Sequence, residues 1–178
     1  MPEQSASSEY QLTTCSVDET RKLGETIGAM VSAGTILALF GDLGSGKTSF
    51  VQGLAEGLEV PGEYYITSPS YTLINEYPGR HSLFHVDLYR IETSVEIEDI
   101  GLYEILDNDG VVAIEWADRM GTDLPPNHLE VEFEIIDDKT RKISIIPRGI
   151  KAVADFKKWN IDSKMKKISI SSRLASAP

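Results

Sequence analysis

Gly41-Asp42-Leu43-Gly44-Ser45-Gly46-Lys47-Thr48 is the stretch that decides the fold of this chain. It matches G-x-x-x-x-G-K-[S/T], a phosphate-binding loop (P-loop) that joins a strand to a helix. The preceding residues, 35–40, are apolar or β-branched and predict a buried parallel strand. The following residues predict a helix with one apolar face, formed by Phe50, Val51, Leu54 and Leu58. The motif therefore has the strand–loop–helix context of a working site.

The residue types of this loop suit a bound phosphate group. Glycine at positions 41, 44 and 46 lets the backbone turn tightly and approach phosphate oxygens. Backbone N–H groups of the loop and of the helix N-terminus can then face the anion. Lys47 is placed to neutralise the β- and γ-phosphates, and the Thr48 hydroxyl is placed to bind Mg²⁺. The predicted nucleotide-binding residues are Gly41, Asp42, Leu43, Gly44, Ser45, Gly46, Lys47, Thr48 and Ser49.

The length and composition favour one globular domain in the cytoplasm. A chain of 178 residues can bury one substantial core, and 41% of its residues are hydrophobic. No run of about 18 apolar residues predicts a membrane span. The N-terminus lacks the apolar segment of a signal peptide. The single cysteine, Cys15, cannot form an internal disulfide, which fits a reducing compartment.

The charge of the chain is unevenly distributed. The segment from residue 151 onward contains seven Lys and Arg residues and two Asp residues, so its net charge is +5. The first 150 residues have a net charge of −16, which gives the whole chain a net charge of −11. Such an acidic body repels a nucleic-acid backbone, so we expect RNA to be held by a partner protein. The basic end could contact RNA or an acidic partner, or could be a solvated, partly frayed end.

The predicted fold class is α/β, a P-loop NTPase with three layers (α/β/α) and a mixed, mainly parallel sheet. We expect a disordered N-terminus (1–9), a P-loop ATPase domain (10–150) and a basic C-terminal extension (151–178). Ser16 and Glu19 form a predicted capping box that opens a helix ending near Gly34. Gly57 is predicted to end the loop helix. Further strands are predicted at 10–14, 72–77, 82–89, 111–114, 129–135 and 141–146, and a short helix at 152–159.

Two carboxylates at the ends of apolar stretches are candidates for metal and water chemistry. Glu115 follows the apolar run 111–114, and Asp87 follows residues 83–86. A P-loop protein needs such a carboxylate to hold Mg²⁺, directly or through water. The run before Glu115 is the more hydrophobic, so we assign Glu115 to Mg²⁺ and Asp87 to orienting or deprotonating the attacking water. The sequence leaves an exchange of these roles open. The predicted catalytic residues are Lys47, Asp87 and Glu115.

Other residues near these carboxylates carry weaker signals. Ser70, in Ser68-Pro69-Ser70-Tyr71, could offer a hydroxyl to phosphate or could belong to an ordinary turn. His85 shares a strand face with Asp87 and is either a support for that residue or a structural histidine. Arg90 could act as an arginine finger in cis or pair with the acidic segment 92–99.

Four sequence elements, in this order, resemble the TsaE family, also called YjeE. They are Gly-Asp-Leu-Gly-Ser-Gly-Lys-Thr at 41–48, Ser-Pro-Ser-Tyr-Thr-Leu at 68–73, His-Val-Asp-Leu-Tyr-Arg at 85–90 and Glu-Trp at 115–116. The resemblance runs from about Leu12 to Ile146, and the last two elements are more specific than the P-loop. Ser70 is a departure, because the family usually has Thr there, but the hydroxyl is retained.

The TsaE family comprises small bacterial ATPases needed for threonylcarbamoyladenosine (t6A) modification of tRNA. The resemblance implies ATP and Mg²⁺ as ligands, with Thr48 and Glu115 as metal ligands and Asp87 needed for hydrolysis. It implies that Trp116 neighbours the nucleotide and that adenine lies near Val17 to Thr20 and near Arg141. It also implies TsaB and TsaD proteins as partners, so that tRNA is met only indirectly, through their complex.

A P-loop small-molecule or nucleoside kinase is the alternative function. A kinase usually has a basic lid that closes over the transferred phosphate, and the region between Ser94 and Gly121 is instead acidic. A nucleotide-gated binding module with negligible turnover of its own is a third class. The chain has no Asn-Lys-x-Asp segment that would read guanine, which favours ATP.

Overall fold

The chain forms one eight-stranded sheet with six α-helices in a computed structural model that describes residues 9–167 and 171–174. The strands are β1 (Tyr10–Thr14), β2 (Ile36–Phe40), β3 (Ile74–Tyr77), β4 (Leu83–Asp87), β5 (Val111–Glu115), β6 (His128–Ile135), β7 (Arg141–Arg148) and β8 (Ser171–Leu174). The helices are α1 (Val17–Gly28), α2 (Lys47–Gly57), α3 (Ser94–Asp99), α4 (Leu102–Leu106), α5 (Ile150–Lys158) and α6 (Ile161–Lys167), with a 3-10 segment at Ala117–Asp123. None of the described helices is both long and apolar enough to cross a membrane.

The sheet is mixed, as predicted, but it is parallel only at its centre. The strand order is β3-β4-β5-β2-β6-β7-β1-β8. The central strands β4, β5, β2 and β6 are parallel neighbours, and the other four pairings are antiparallel. "Mainly parallel" is therefore wrong for the pairings as a whole. The short connections 78–82 and 136–140 explain two of these four pairings, because a connection of that length can join only antiparallel neighbours. The other two are the pairings of β1 with β7 and with β8.

Helices cover both faces of the central strands. Leu37 and Leu39 of β2 join one core cluster, to which α1 and α2 contribute apolar side chains. Ile36 and Ala38 of the same strand join a second cluster on the opposite face, with residues of α3, α4 and the 3-10 segment. Burial on both faces is why the central strands read as continuous apolar runs and not as alternating ones.

The first helix begins where the sequence predicts and ends earlier. The Ser16 Oγ accepts a hydrogen bond from the Glu19 backbone N–H at 3.1 Å. The Glu19 carboxylate accepts from the N–H of Cys15, one residue further back than a capping box requires. The helix ends at Gly28, because its last turn tightens into a bond from Met30 N–H to the Ile27 carbonyl. The predicted end near Gly34 is wrong.

Four glycines allow α1 and α2 to pack in direct backbone contact. Gly24 and Gly28 lie one turn apart on α1, and Gly53 and Gly57 lie one turn apart on α2. A Cβ atom added at any of these positions would lie less than 3.0 Å from a backbone carbonyl oxygen of the other helix. Gly57 does end α2, as predicted, and the contact with α1 adds a packing reason for glycine there.

We expect Gly53→Ala to destabilise the fold by about 2 kcal/mol, because the methyl group would collide with the Arg21 backbone. Alanine has the higher helix propensity by about 1 kcal/mol, so a net loss of stability would identify the packing as its cause. Gly62→Ala is the control, since no atom lies within 4 Å of a Cβ at that position. Urea unfolding of both variants measures the difference, and equal midpoints would contradict the prediction.

Residues 156–165 of the C-terminal extension pack on the core. Phe156, Trp159, Ile161 and Met165 are buried in the cluster that contains Tyr10 and Leu12. The helix predicted at 152–159 is present as α5. A solvated end is therefore the wrong interpretation for these side chains, and the same core continues across the predicted boundary at residue 150. The predicted disordered segment 1–9 lies outside the described residues, apart from Glu9.

Truncation of Phe156 should reveal this packing. We expect Phe156→Ala to lower the free energy of unfolding by about 3 kcal/mol, because the ring is 6% exposed and packs against Trp159 with centroids 5.4 Å apart. Ile150 begins the same helix and is 90% exposed, so Ile150→Ala should change stability by less than about 0.5 kcal/mol. Thermal or urea unfolding distinguishes them. An unaffected Phe156→Ala variant would mean that the extension does not pack as described.

Candidate nucleotide-binding site

The predicted loop and both predicted carboxylates meet at one edge of the sheet. The loop follows β2, Asp87 ends β4 and Glu115 ends β5. These three strands are parallel neighbours, so their carboxyl ends share an edge, where α/β sheets bind ligands. Glu115 pairs in register with Leu39 on one side and with Asp87 on the other. The edge opens into a cleft of about 510 Å³, lined by Leu43, Gly44, Ser45, Gly46, Lys47, Thr48, Ser49, Ser68, Ser70, Tyr71, Asp87, Tyr89, Arg90, Glu115 and Trp116.

The backbone of the loop needs glycine at the predicted positions. Gly41, Gly44 and Gly46 have φ angles of 144°, 77° and 107°, which side-chain-bearing residues rarely adopt. A Cβ at Gly41 would also crowd the carbonyl oxygen of Phe133. The helix α2 begins immediately afterwards, at Lys47. Free N–H groups and the positive end of the α2 dipole therefore adjoin the loop.

Lys47 lies inside the loop and is 4% exposed. Its Nζ donates to the carbonyl oxygens of Gly41 and Asp42, at 2.5 and 2.9 Å, and lies 4.2 Å from the centroid of a Trp116 ring. Burial lowers the pKa of Lys47 below the usual range of lysine, while the charges of Glu115, Asp87 and Asp42 partly oppose the shift. An anionic ligand would therefore gain an ammonium group that is already dehydrated.

The lowered pKa of Lys47 predicts that nucleotide affinity depends on pH. The ammonium form attracts phosphate, and it is lost at a lower pH than for an exposed lysine. We expect the affinity for ADP to fall as the pH rises, at pH values below the usual pKa of lysine, with proton uptake on binding at the alkaline end. Calorimetry in buffers of different ionisation enthalpy measures this. A constant affinity without proton uptake would contradict it.

Glu115 is the centre of a buried cluster of polar side chains. The carboxylate is 3% exposed. The Thr48 hydroxyl donates to its Oε1 at 2.8 Å and to its Oε2 at 3.1 Å. The Nε2 atom of His85 lies 2.8 Å from Oε1, so His85 contacts Glu115, whereas the sequence suggested a support for Asp87. A hydroxyl and a carboxylate side by side are the hard oxygen ligands that Mg²⁺ prefers.

A nucleotide-dependent Mg²⁺ site needs few protein ligands, because phosphate oxygens and water supply the rest. Residues 9–167 and 171–174 contain no group of three or more His, Cys, Asp or Glu side chains that could hold a metal alone. The hydroxyl of Thr48 and the carboxylate of Glu115, whose oxygens lie 2.8 Å apart, are the type of oxygen ligand that would fit Mg²⁺ beside a nucleotide.

Asp87 is held by a different set of hydrogen bonds. Its Oδ2 accepts from the Ser68 hydroxyl, and its Oδ1 accepts from the Tyr89 backbone N–H at 2.9 Å. The Ser68 and Ser70 hydroxyl groups are 2.9 Å apart, so Ser70 reaches Asp87 only through Ser68. The sequence analysis singled out Ser70 and did not predict the contact between Ser68 and Asp87.

Aromatic side chains form the outer wall of the cleft. The Arg90 guanidinium lies 4.6 Å from the Tyr71 ring centroid, and no carboxylate in the described part of the chain lies within ion-pair distance of it. The predicted alternative, an ion pair with segment 92–99, is therefore absent among those residues. Trp116 has a left-handed backbone (φ 58°) and packs on Tyr89, with ring centroids 5.1 Å apart. Both Arg90 and Trp116 remain available to a ligand in the cleft.

A second pocket, of about 390 Å³, adjoins the other side of the loop. Arg141 lies against it and donates to the carbonyl oxygens of Gly44 and Ser45, both at 3.2 Å. The structure thus brings together the residues that the resemblance implied for adenine. Asp138 and Lys139 also line the pocket. They were not predicted as site residues, because the sequence at 137–140 indicates only a turn. The lining residues are Ser16, Val17, Thr20, Gly44, Gly46, Ser49, Asp138, Lys139 and Arg141.

Residues 14–143 match a family model described as "Threonylcarbamoyl adenosine biosynthesis protein TsaE". The chain belongs to the TsaE family. The match spans the loop, both carboxylates and Arg141, so every residue of the two pockets lies within it. The helices α5 and α6 lie beyond the end of the TsaE match.

Relatives named "tRNA threonylcarbamoyladenosine biosynthesis protein TsaE" align over most of the chain. The protein from Treponema pallidum is 37% identical over 73% of this chain and 95% of its own length. The TsaE proteins of Bacillus subtilis and of a Nostoc species are 37% and 42% identical, and the alignments cover 84% and 81% of their lengths. The crystal structure of YdiB from Bacillus subtilis is similar, with a TM-score of 0.73 and 30% identity, covering 88% of this chain and 97% of YdiB.

Proposed function

We propose that the chain is a Mg²⁺-dependent ATP hydrolase that acts in the biosynthesis of threonylcarbamoyladenosine in tRNA. The observation that carries the proposal is the convergence of Lys47, Thr48, Asp87 and Glu115 on one cleft. A P-loop NTPase fold of three layers (α/β/α) is the corresponding fold assignment, supported by helices on both sheet faces. The names of the TsaE relatives support the process.

Each residue of the cleft is assigned a separate role in phosphoryl transfer. Loop N–H groups and Lys47 bind the β- and γ-phosphates, which would replace the carbonyl partners that Lys47 now has. Thr48 and Glu115 would hold Mg²⁺, which when bound supplies positive charge next to the phosphate oxygens. Val17, Thr20 and Arg141 border the pocket that would receive adenine and ribose.

Asp87 is the residue that we assign to the attacking water. Its carboxylate is 4% exposed and lines the same cleft as Lys47. It would orient the water and accept its proton as the oxygen bonds to the γ-phosphorus and the bond to ADP breaks. The hydrogen bonds from Ser68 and Tyr89 hold the carboxylate in place for this role.

The proposed partners are TsaB and TsaD proteins, with tRNA met only through their complex. The acidic body, with a net charge of −16 over residues 1–150, supports an indirect contact with RNA. In this proposal the chain hydrolyses ATP to drive the working cycle of a TsaB–TsaD complex in the cytoplasm.

The test is the Mg²⁺-ATPase activity of the purified chain, alone and with a TsaB–TsaD complex. We expect the complex to stimulate hydrolysis and Glu115→Ala to abolish the stimulation. An activity that ignores the complex and rises with a small-molecule phosphate acceptor would instead favour the kinase alternative. ADP and phosphate formed in equal amounts, with no phosphorylated third product, distinguish hydrolysis from phosphoryl transfer to an acceptor.

A further inference from the structure

His85 is a fully buried histidine directed at the proposed metal ligand. It lies on β4 and is 0% exposed. Its Nε2 atom is 2.8 Å from Oε1 of Glu115, which lies on the neighbouring strand β5. In the register of these strands His85 pairs with Ala113 and Asp87 pairs with Glu115, so the contact runs diagonally across the pair. A diagonal contact of this kind reaches a long side chain on the same sheet face.

The surroundings of the ring determine where its hydrogen lies. An ionised carboxylate only accepts hydrogen bonds, so the hydrogen must be on Nε2. The Nδ1 atom is buried and has no hydrogen-bond partner in the described part of the chain. A hydrogen on Nδ1 would be buried without an acceptor, which is costly. The geometry therefore favours a ring hydrogen on Nε2.

We propose that His85 is the positioning residue of Glu115 for Mg²⁺ binding, an inference that rests on the proposed function. The Glu115 carboxylate has two donors, Thr48 and His85. A metal bound through a lone pair of the Thr48 oxygen would leave the Thr48 hydrogen able to donate to Glu115. The bond from His85 would hold Oε1 and leave Oε2 for the metal. Outer hydrogen bonds of this kind typically change metal affinity by about 10- to 100-fold.

Two substitutions separate positioning from mere packing. His85→Gln keeps an N–H donor near the place of Nε2, and His85→Leu fills similar space without a donor. We expect His85→Leu to weaken Mn²⁺ binding to the ADP complex by about tenfold, measured by electron paramagnetic resonance. Binding of ADP without metal should be unchanged, because Lys47 and the loop are untouched. His85→Gln should recover most of the metal affinity.

The Glu115→Gln background is the matched control. If His85 acts through the Glu115 carboxylate, His85→Leu should cause little further loss of Mn²⁺ affinity there. An equal loss in both backgrounds, or wild-type metal affinity in His85→Leu, would overturn the proposal. A wild-type chain that binds neither ADP nor Mn²⁺·ADP would overturn the proposed function instead, so the two failures are distinguishable.

The ring tautomer gives a test that is measured on the unsubstituted chain. Nitrogen-15 NMR of histidine-labelled protein reports which ring nitrogen carries hydrogen, and His85→Gln assigns the signal. We expect the ring hydrogen to be on Nε2. A hydrogen on Nδ1 alone would place a lone pair against the carboxylate and would overturn the proposal.

Discussion

Lys47→Ala is expected to lower the affinity for ATP and ADP by about 100-fold or more. The ammonium group is buried beside the loop, where it contacts two carbonyl oxygens, the Ser45 hydroxyl and an aromatic ring. Removing one partner of a buried, hydrogen-bonded charge pair typically costs at least about 2 to 5 kcal/mol, and each 1.4 kcal/mol is a factor of ten in affinity. Isothermal titration with Mg²⁺·ADP measures the loss.

The fold should survive this substitution. The lowered pKa of Lys47 means that the fold disfavours its charged form, so removing the charge relieves a cost. Lys22 is a suitable control, because its side chain is 48% exposed and pairs with Glu25 on the surface of α1. Lys22→Ala should bind like the unsubstituted chain. Retained affinity in a folded Lys47→Ala variant would refute the assignment of the loop.

The central strands could be predicted because burial on both faces leaves a simple pattern. The runs before Gly41 and Glu115 are apolar throughout, and each became a central strand, β2 and β5. The two hairpins were readable from their turns, at 78–82 and 136–140. The pattern did not reveal that β1 lies between β7 and β8 and adds two further antiparallel pairings, because that depends on which strands become neighbours in three dimensions.

The contact of α1 with α2 and the packing of the extension could not be predicted from the sequence, for the same reason. Both depend on which parts of the chain become neighbours in three dimensions. A glycine such as Gly53 reads as a weak helix residue until its partner backbone is known. Six lysines lie within residues 151–167, so the net positive charge dominated the interpretation, although the side chains of Phe156 and Trp159 are buried.

The candidate site divides in the same way. The loop, Asp87 and Glu115 could be predicted, because a motif or a strand end marks each of them. The contacts of Ser68 with Asp87 and of His85 with Glu115 could not, because they depend on loop conformation and on strand register. The resemblance to TsaE located Arg141, but Asp138 and Lys139 had no signal beyond their place in a turn.

Substitution of Asp87, the carboxylate assigned to the attacking water, is expected to have a large effect on the rate of hydrolysis. Asp87→Asn keeps the shape of the side chain and removes its capacity to take a proton. We expect nucleotide affinity to stay within about threefold and the maximal rate of hydrolysis to fall by about 10²- to 10⁴-fold, the usual contribution of a general base. Single-turnover hydrolysis at saturating Mg²⁺ measures this, alongside ADP titration. Normal turnover in this variant would mean that Asp87 is structural.

Glu115→Gln, measured in parallel, decides between the two possible arrangements of roles. Its carboxylate already contacts Thr48, so we expect this variant to need more Mg²⁺ and to regain much of its turnover when Mg²⁺ is raised. Added Mg²⁺ should not rescue Asp87→Asn, because the lost group acts on water. If Mg²⁺ rescues Asp87→Asn and fails to rescue Glu115→Gln, the roles are exchanged: Asp87 holds the metal and Glu115 prepares the water.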